Sequence, residues 1–350
     1  MKRSKAVLIG AGAVAKHYAD LFSNDSNFDL VAVVDIDIER ARSHAEYWNA
    51  KYYENLTQVL ENHNVDVAII TTPSGLHYVN AKESLEMGLH VIVEKPISLR
   101  LDHTTELIQL AKSKNLFLIP VFQNRSNKAV KWALQNISDI GDISMCSVRL
   151  RWSRDQNYYN NSWHGSWLMD GGVSSQQGIH HIDLFLEIGG LVKRVCALES
   201  NQSNKLEAED TMIAIVEFVS GAVGTVELTT SLKPNDAEAV VSFSGSKGYG
   251  EIGGVALNKI NQWMISSSNN LNSNEHLKNN QEVPNGMGFG HRDYINDCFD
   301  FIQGSVKMPP LTAERALVTE KFVHALYVSN EKGGWVNLDK IFESERLGRS

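Results

Sequence analysis

Cysteine, long apolar runs and positive charge are scarce in this sequence, and each scarcity argues against a class of protein. Its 350 residues include only 3 cysteines. Cys146, Cys196 and Cys298 lie far apart and form no CxxC pair, so a disulfide framework is not expected. No stretch approaches the roughly 18 apolar residues of a membrane span. The apolar run Ala6–Gly10 is too short for the core of a signal peptide.

Positive charge is outnumbered by negative charge. Lys and Arg number 33 and Asp and Glu 41, which gives a formal net charge of −8. This balance argues against nucleic acid or an anionic membrane as the main partner, because both attract a basic surface. With 43% hydrophobic and 21% charged residues the chain has the composition of a folded globular protein. We expect a cytoplasmic protein of about two domains.

The N-terminal part of the chain alternates between two patterns. Short β-branched runs occur at Lys5–Ile9, Leu30–Val34, Val65–Thr71, His90–Val93 and Leu116–Val121. Between them lie segments with the apolar spacing of helices, such as Ala13–Phe22 and His77–Met87. Continuous apolar runs are typical of buried parallel strands that crossover helices separate. The pattern predicts a doubly wound α/β domain over residues 1–122.

The pattern changes near Gly141, where longer strand-like segments begin. They are Ile143–Trp152, Val192–Ser200, Met212–Val219, Val223–Ser231 and Ala239–Ser244. Apolar and polar residues alternate along Gly224–Thr230, which is typical of an antiparallel sheet with one wetter face. The pattern also predicts helices at Ser174–Ile188, Arg292–Gln303 and Ala313–Glu331, and a loop at Ser266–Asn280. We therefore predict a second α/β domain over residues 123–350, whose C-terminal helix is able to pack back on the first domain.

The first strand runs into the hexapeptide GAGAVA and then a helix, which is the pattern of a dinucleotide-binding turn. Gly10 permits the tight turn, Gly12 lets the backbone approach a pyrophosphate, and Ala15 allows close packing of helix and strand. Asp35 ends the second strand, where its carboxylate can accept both ribose hydroxyls and would repel a 2′-phosphate. NAD is therefore predicted rather than NADP. Asp37 is a weaker candidate for the ribose, and a turn that binds nothing is the alternative. The predicted cofactor contacts here are Gly10, Gly12, Ala13, Val14 and Asp35.

Three further polar segments follow strands of the predicted sheet at their carboxyl ends, where open α/β sheets bind ligands. They add predicted cofactor contacts at Thr72, Pro73, Ser74, His77, Glu94, Lys95, Pro96 and Gln123. Ser74 is also placed to cap the next helix, and His77 is either a cofactor contact or a surface residue of its first turn. Lys95 follows a hydrophobic strand, so its amine can project into a cofactor cleft. A strand-end surface lysine is the alternative.

These motifs together resemble the glucose–fructose oxidoreductase, inositol dehydrogenase and MocA family from about Lys5 to Leu338. The resemblance rests on GAGAVA, Asp35, TTPSGLH, EKP and GIHHID, of which the last two in that order are the most specific. It implies a dinucleotide domain followed by an α/β domain with an open, mainly antiparallel sheet. It also implies that Lys95 and His180 face the substrate carbon beside the nicotinamide. Many members have an aspartate where this chain has Gln176.

Three further segments, Arg149–Tyr159, Trp163–Trp167 and Asp170–Gly172, and the pair Gly290-His291 are similar to bacterial dehydrogenases that oxidise C3 of UDP-N-acetylglucosamine or its uronic acid. Taken with the family resemblance, this similarity leads us to predict a cofactor contact by Trp163 and substrate contacts by Gln176, Asp183, Arg154, Tyr158, Tyr159, Trp167, Asp170 and His291. Those enzymes often have arginine where this chain has His164, and asparagine at the position of Gln176. The two departures leave the sugar itself open.

The chemistry of oxidising a secondary alcohol needs a group that removes the hydroxyl proton. Gln176 has an amide that cannot take a proton, so this role falls to His180 or Lys95. On a continuous helix Gln176, His180 and Asp183 share one face, while His181 points away and is expected to be structural. Asp183 either orients His180, contacts a sugar hydroxyl or packs. No metal site is predicted, because adjacent histidines diverge on a helix.

Basic and aromatic residues near the start of the second domain have two interpretations each. Arg149 and Arg151 share a strand face and could grip a diphosphate, or they could form ion pairs with the acidic excess. The aromatic residues Tyr158, Tyr159, Trp163 and Trp167 could stack on a base or sugar, or could form an ordinary core or subunit interface.

The leading hypothesis is an NAD-dependent dehydrogenase of a nucleotide sugar in surface-polysaccharide biosynthesis. The alternatives are a free sugar or inositol dehydrogenase, an NAD-dependent glycoside hydrolase and a non-catalytic NAD-binding regulator. An antiparallel sheet with apolar positions on its open face predicts a homodimer or homotetramer through that sheet.

Overall fold

The computed structural model describes residues 3–16, 18, 28–160, 163–266, 274–283, 286, 288–340 and 342–349. Its contacts divide the chain into two units, Met1–Phe122 with His291–Leu317 and Gln123–Gly290 with Val318–Ser350. Residues 291–317, which the sequence analysis assigns to the second domain, thus group with the first unit.

Regular elements follow one another through both units. The strands are β1 (Ser4–Ile9), β2 (Phe28–Val34), β3 (Lys51–Tyr53), β4 (Val67–Ile70), β5 (His90–Glu94), β6 (Leu118–Val121), β7 (Ile143–Arg151), β8 (Val192–Ser200), β9 (Thr211–Phe218), β10 (Val223–Thr229), β11 (Glu238–Gly245), β12 (Gly248–Gly253), β13 (Lys259–Ile265) and β14 (Val336–Asn337). The helices are α1 (Ile38–Tyr47), α2 (Leu56–Asn62), α3 (His77–Glu86), α4 (Leu101–Ser113), α5 (Lys128–Gln135), α6 (Gln156–Tyr159), α7 (Ile179–Gly189), α8 (Gly290–Ile302) and α9 (Ala313–Lys332). In the part of the chain that the structure describes, no helix has both the length and the hydrophobicity to cross a bilayer.

The first unit is built on a six-stranded sheet in the order β3-β2-β1-β4-β5-β6. All of its neighbouring strands are parallel. This is the strand order of the doubly wound dinucleotide fold, whose direction of strand addition reverses between β1 and β4. The central strands read as apolar runs because both faces are covered, and every residue of β4 is buried. The predicted doubly wound sheet is confirmed.

Helix α8, although late in the chain, packs on residues of this first unit. The ring of Phe299 stacks on Phe28 with centroids 3.9 Å apart, and the Tyr294 hydroxyl donates to the Pro120 carbonyl at 2.6 Å. Phe301 contacts Phe117 with a tilted geometry, at a centroid distance of 4.6 Å and an interplanar angle of 53°. These aromatic contacts group α8 with a sheet that ends far earlier in the sequence.

The second unit holds an eight-stranded sheet in the order β13-β12-β11-β7-β10-β9-β8-β14. Its neighbours are antiparallel except for the parallel pair β7 and β10. The alternation along β10 is confirmed, with Gly224, Val226 and Leu228 buried. One face packs on α7 and α9, where Phe185 contacts Phe218 and Phe322 with centroids 5.3 and 6.1 Å apart. The mainly antiparallel α/β domain is therefore confirmed.

Several element boundaries differ from the sequence predictions. The helix predicted at Ser174–Ile188 begins only at Ile179, because residues 173–178 form turns. The strands β3, β12 and β13 were not predicted: β3 is short, and β12 carries three glycines that weaken a strand pattern. Within the predicted loop Ser266–Asn280, residues Asn274–Asn279 form a 3₁₀ turn and 267–273 lie outside the described residues. Residues 17 and 19–22 of the predicted helix Ala13–Phe22 also lie outside them.

Candidate active site

The glycine-rich turn after β1 needs its two glycines for different reasons. Gly10 has a φ of +99°, and a Cβ there would lie 2.7 Å from the backbone nitrogen of Thr72. The protein itself therefore excludes a side chain at Gly10. A Cβ on Gly12 would meet nothing within 4 Å. The open space above Gly12 fits a bound pyrophosphate, which is the group that this glycine admits in dinucleotide turns.

Asp35 lies at the end of β2 and braces the same turn. Its carboxylate accepts from the backbone N–H groups of Ala11 at 2.8 Å and Asp37 at 2.9 Å. A carboxylate has about four lone-pair positions, so acceptor capacity for ribose hydroxyls is left. Asp37 instead caps α1 by accepting from the N–H of Arg40 at 3.2 Å. This division favours Asp35 over Asp37 as the ribose ligand, as the sequence suggests.

His77 is buried, so the interpretation as a helix-surface residue is wrong. Its Nδ1 lies 2.6 Å from the carbonyl oxygen of Pro96 and its Nε2 lies 2.9 Å from that of Thr72. Burial lowers the pKa of His77, and the two carbonyls only partly offset this effect. The ring ties together the chain segments that follow β4 and β5. Ser74 begins a 3₁₀ turn without a side-chain cap, so the predicted capping role is also wrong.

Glu94 and His291 meet in a buried polar cluster with Tyr18. The Tyr18 hydroxyl donates to Glu94 Oε1 at 2.7 Å, and His291 Nε2 lies 3.3 Å from the same oxygen. Burial raises the pKa of the Glu94 carboxyl, but His291, Tyr18 and the charge of Lys95 outweigh it and the net shift is downward. Glu94 is thus held as an anion. His291, predicted to contact substrate, contacts the residue that precedes Lys95.

Lys95 is half-buried at the end of β5, between the buried residues Glu94 and Pro96. This position follows a strand of the parallel sheet at its carboxyl end, where the sequence analysis places a cofactor cleft. The adjacent Glu94 anion favours a charged amine. Gln123 is buried just after β6, and its Oε1 has no hydrogen-bond partner among the described residues. A buried amide oxygen of this kind is able to accept a hydrogen bond from a donor group of a ligand.

The second unit places His180 in the first turn of α7 with only 9% of its surface exposed. Asp183, one turn further, accepts two hydrogen bonds from the Arg125 guanidinium at 2.6 and 2.9 Å and one from Thr319 at 3.2 Å. The carboxylate is therefore used to hold α7 against residues 123–126, and it orients the helix that carries His180. This arrangement fits the packing interpretation of Asp183 rather than a sugar contact.

Gln176 lies in the turns before α7 and not on the helix itself. Its amide donates to Asp170 Oδ1, while the Gly165 N–H donates to Asp170 Oδ2 at 2.8 Å. Gln176 is thus not on the helical face of His180, contrary to the sequence prediction, because the helix has not yet begun. We refer to residues 163–172 as the substrate loop, after the substrate contacts that the sequence predicts for Asp170 and Trp167.

The aromatic residues of α6 and the substrate loop pack on one another. Tyr158 stacks on His164 with centroids 4.2 Å apart, and Gln177 donates to its hydroxyl at 3.1 Å. His164 also contacts Trp163, and the centroids of these two rings are 3.7 Å apart. Burial raises the pKa of Tyr158, and it raises the pKa of Tyr159 to about 12 despite the Thr230 hydrogen bond. Both phenols are therefore neutral hydrogen-bonding groups.

The arginines of β7 form ion pairs along the open face of the second sheet. Arg149 lies 3.2 Å from Glu238, and Arg151 lies 2.5 Å from Glu227 and 3.0 Å from Glu238. This decides between the two sequence interpretations in favour of ion pairs. Arg154 lies just after β7 and forms an ion pair with Asp236 at 3.0 Å. Its guanidinium carbon lies over the ring of Trp152, 5.0 Å from the centroid. Arg154 is partly buried, and its guanidinium also lies over the ring of Tyr158, 5.7 Å from the centroid.

Sequence reasoning missed Glu209, a buried carboxyl at the base of the substrate loop. Its Oε1 accepts from the Ser174 N–H at 2.9 Å and from the Tyr327 hydroxyl at 3.0 Å. A Cβ on Gly172 would lie 2.0 Å from Glu209 Oε2, so only glycine fits there. Burial raises the pKa of Glu209 to about 8, and the charge of Glu199 adds to the shift. A lone Glu before a strand gives no sequence signal of this kind.

His181 is buried edge-on to Trp152, with centroids 5.7 Å apart, and burial lowers its pKa to about 4. It is a neutral core histidine, as the sequence predicts. Across the described ranges, no three His, Cys, Asp or Glu side chains group in a way that could hold a metal ion.

Comparison with known proteins gives two family matches. Residues 4–122 match the NAD-binding Rossmann fold of an oxidoreductase family, and residues 135–338 match the C-terminal alpha/beta domain of the same family. The D-glucoside 3-dehydrogenase of Escherichia coli is 24% identical over 95% of this chain and 97% of its own. The chain spans only 64% and 60% of the length of two other curated relatives that it matches.

Two solved structures superpose on nearly the whole chain. The WlbA dehydrogenase of Chromobacterium violaceum, in complex with NADH and UDP-GlcNAcA, has a TM-score of 0.90 and 29% identity and covers 98% of both chains. The Bordetella pertussis WlbA dehydrogenase, in complex with the same two ligands, has a TM-score of 0.90 and 27% identity over 96% of this chain and 98% of that one. The fold, the glycine-rich turn and both family matches lead to one conclusion: this chain belongs to the oxidoreductase family of glucose–fructose oxidoreductase, inositol dehydrogenase and MocA.

Proposed function

We propose that this protein is an NAD-dependent dehydrogenase that oxidises a secondary hydroxyl, at C3, of a nucleotide-linked sugar such as UDP-N-acetylglucosamine or its uronic acid. The observation that carries the proposal is the full-length similarity to two dehydrogenases solved with NADH and UDP-GlcNAcA. Such an enzyme would act in the cytoplasm, in the synthesis of surface-polysaccharide sugars.

The first unit supplies the residues that would hold NAD. The open space at Gly12 and the carboxylate of Asp35 fit a pyrophosphate and a ribose without a 2′-phosphate. His77 and Thr72 brace the segments beside them. Bound NAD would supply the acceptor for the hydride, so the residues of the protein would have to bind the sugar and remove the hydroxyl proton.

Two side chains are proposed to manage that proton. His180 has the chemistry of a general base near neutral pH, and α7 is held in place through Asp183 and Arg125. Lys95 would stabilise the negative charge that develops on the oxygen, since the adjacent anion Glu94 favours the charged amine. The aromatic residues Tyr158, Tyr159 and Trp167, with Arg154 and Asp170, are proposed to contact the sugar nucleotide.

The direct test is an assay of NADH formation with purified protein and a panel of nucleotide sugars, free sugars and inositols. We expect turnover with a UDP-linked N-acetylated hexose or its uronic acid and none with the free sugars. Turnover of free sugars or inositol alone would reject the substrate class. Release of an aglycone from glycosides without net NADH would identify an NAD-dependent hydrolase instead.

Gly12→Ala is expected to weaken NADH binding by about tenfold or more, while thermal stability stays unchanged. The added methyl group meets no protein atom within 4 Å, but it fills the space proposed for the pyrophosphate. Gly334→Ala is the matched control, because its Cβ also meets nothing within 4 Å and it lies at a chain position with no proposed ligand. Fluorescence titration with NADH checks both variants, and equal affinities for Gly12→Ala and wild type would reject the cofactor assignment.

We also propose that the open face of the second sheet joins two copies of the chain. Leu198, Ile213, Ile215 and Val223 are between 47% and 71% exposed on adjacent strands of this face. Exposed apolar patches of this kind are typical of subunit interfaces.

Light scattering of the wild type is expected to give the mass of a dimer or tetramer. Ile215→Lys places a charge within the proposed interface and is expected to lower the mass. Ile36→Lys is the control, since Ile36 is 93% exposed in the other unit. A monomeric wild type, or loss of the oligomer in both variants, would contradict the assignment.

A further inference from the structure

The chain continues past the region that matches the family. The C-terminal family match ends at residue 338, yet residues 342–349 are well packed in the second unit. Ser344 has no exposed surface and Leu347 is 2% exposed. We call residues 342–349 the C-terminal clasp, because they pack against the substrate loop, residues 163–172.

Three contacts join the clasp to the loop. The Arg346 guanidinium lies over the ring of Trp167, 4.2 Å from its centroid. The N–H of Gly348 donates to the Trp167 carbonyl at 2.8 Å. Leu347 packs so closely on Gly171 that a Cβ on this glycine would lie 2.8 Å from Leu347 Cδ1. The clasp therefore constrains Trp167 through its backbone and its side chain.

The clasp is itself anchored on regular elements rather than loosely attached. Arg346 donates two hydrogen bonds to Glu199 of β8, at 2.6 and 3.0 Å, and a third to Glu331 of α9 at 3.1 Å. The Ser344 hydroxyl donates to the same Glu331 at 2.6 Å, and its N–H donates to His324 Nδ1 at 3.0 Å. A planar guanidinium is able to stack on an indole and bind a carboxylate bidentately at the same time, which an ammonium group cannot do.

These contacts hold a loop that has little regular structure of its own. Trp167 is bounded by Arg346 over its ring and by Tyr327 edge-on, with centroids 5.2 Å apart. A bulky side chain on an irregular loop loses much conformational freedom when it is ordered, and the contacts of the clasp offset that entropy before a ligand arrives. Preorganisation of this kind lowers the cost of binding rather than the barrier of the chemical step.

We propose that the C-terminal clasp is a positioning element for sugar recognition, and that Arg346 is the residue through which it orders Trp167 and the substrate loop. The proposal rests on the proposed function for the identity of the ligand, a nucleotide sugar. The order that the clasp imposes on the loop is a property of the chain alone and does not depend on the reaction.

The test compares Arg346→Ala and Arg346→Lys with Arg349→Ala in the full-length protein. Arg349 lies on the same clasp but pairs with Glu343, so its loss removes the same charge and leaves the three contacts described above in place. Hydrogen exchange of the peptide that spans residues 163–172 is expected to quicken about tenfold in both Arg346 variants and to stay at the wild-type rate in Arg349→Ala. The KM for the nucleotide sugar is expected to rise about tenfold with Arg346→Ala, with kcat and the KM for NAD within twofold of wild type.

Unchanged exchange in residues 163–172 of the Arg346 variants would overturn the proposal. Equal quickening in Arg349→Ala would also overturn it, because the effect would then be general loosening of the C-terminus. Where Arg346→Ala fails to fold, Arg346→Lys supplies the same comparison. If no sugar is turned over by the wild type, the proposed function fails, and the exchange rates still decide whether the clasp orders the loop.

Discussion

Lys95→Ala is expected to lower kcat by about 10²–10⁴-fold, the usual range for loss of a group that manages a proton or its charge. Lys95 follows β5 directly, is half-buried and lies beside an ionised Glu94 that Tyr18 and His291 hold in place. A positive charge fixed by a buried anion is suited to stabilise the oxygen of the reacting hydroxyl as its proton leaves. Removing the amine removes this stabilisation from the transition state.

Lys95 is also a predicted cofactor contact. Measurements at saturating NAD and sugar therefore separate the effect on kcat from a loss of cofactor affinity. Lys82→Ala is the control, because Lys82 belongs to the same unit and pairs with Glu106 on the surface. We expect it to retain wild-type kcat. A Lys95→Ala protein with full activity would reject Lys95 as a catalytic residue.

Glu209→Gln is expected to make the protein more stable than wild type at alkaline pH, by on the order of 5 kcal/mol. Burial raises the pKa of Glu209 from an ordinary value of 4.5 to about 8, so the folded state keeps a proton that the unfolded state has lost. Wild-type stability therefore falls as pH rises from about 4.5 through 8, relative to a variant that cannot ionise. Glutamine keeps the acceptor that Ser174 and Tyr327 use.

Urea unfolding of both proteins between pH 4.5 and 9 measures this difference. The stability of Glu209→Gln minus that of wild type should grow across the range and level off above about pH 8. Glu217→Gln is the control. Glu217 is half-buried, and Lys193 and Arg194 lower its pKa, so the stability difference for this variant should stay constant above about pH 5. A constant difference for Glu209→Gln as well would show that Glu209 is ionised in the folded protein.

Local patterns were sufficient to predict much of the fold and part of the site. The doubly wound sheet follows from apolar runs that alternate with helical spacing. Each strand that the sequence predicts is observed within a few residues of its predicted bounds, whereas the short β3 is not predicted. The need for glycine at Gly10 and the position of Asp35 beside the same turn also follow from the dinucleotide motif after β1. In each case the information lies in residues close together in the chain.

Predictions failed where a distant segment decides the outcome. Gln176 was placed on a helical face with His180, but Gly172 packs on Glu209 and the turns that follow delay the helix to Ile179. His77 was left open as a surface residue, but it binds the carbonyl that follows β5. Neither Glu209 nor Pro96 is a sequence neighbour of the residue it affects.

The class of fold and the cofactor turn follow from periodicity and short motifs, which are local properties of the chain. The family resemblance of EKP and GIHHID made Lys95 and His180 the catalytic candidates. The tertiary structure alone decided which polar groups meet: Arg125 with Asp183, Glu94 with His291, and Arg346 with Trp167. Each of these pairs joins residues far apart in the chain, and their burial and contact distances arise only on folding. The candidate catalytic residues can thus be predicted from the sequence, whereas the groups that hold them in place cannot.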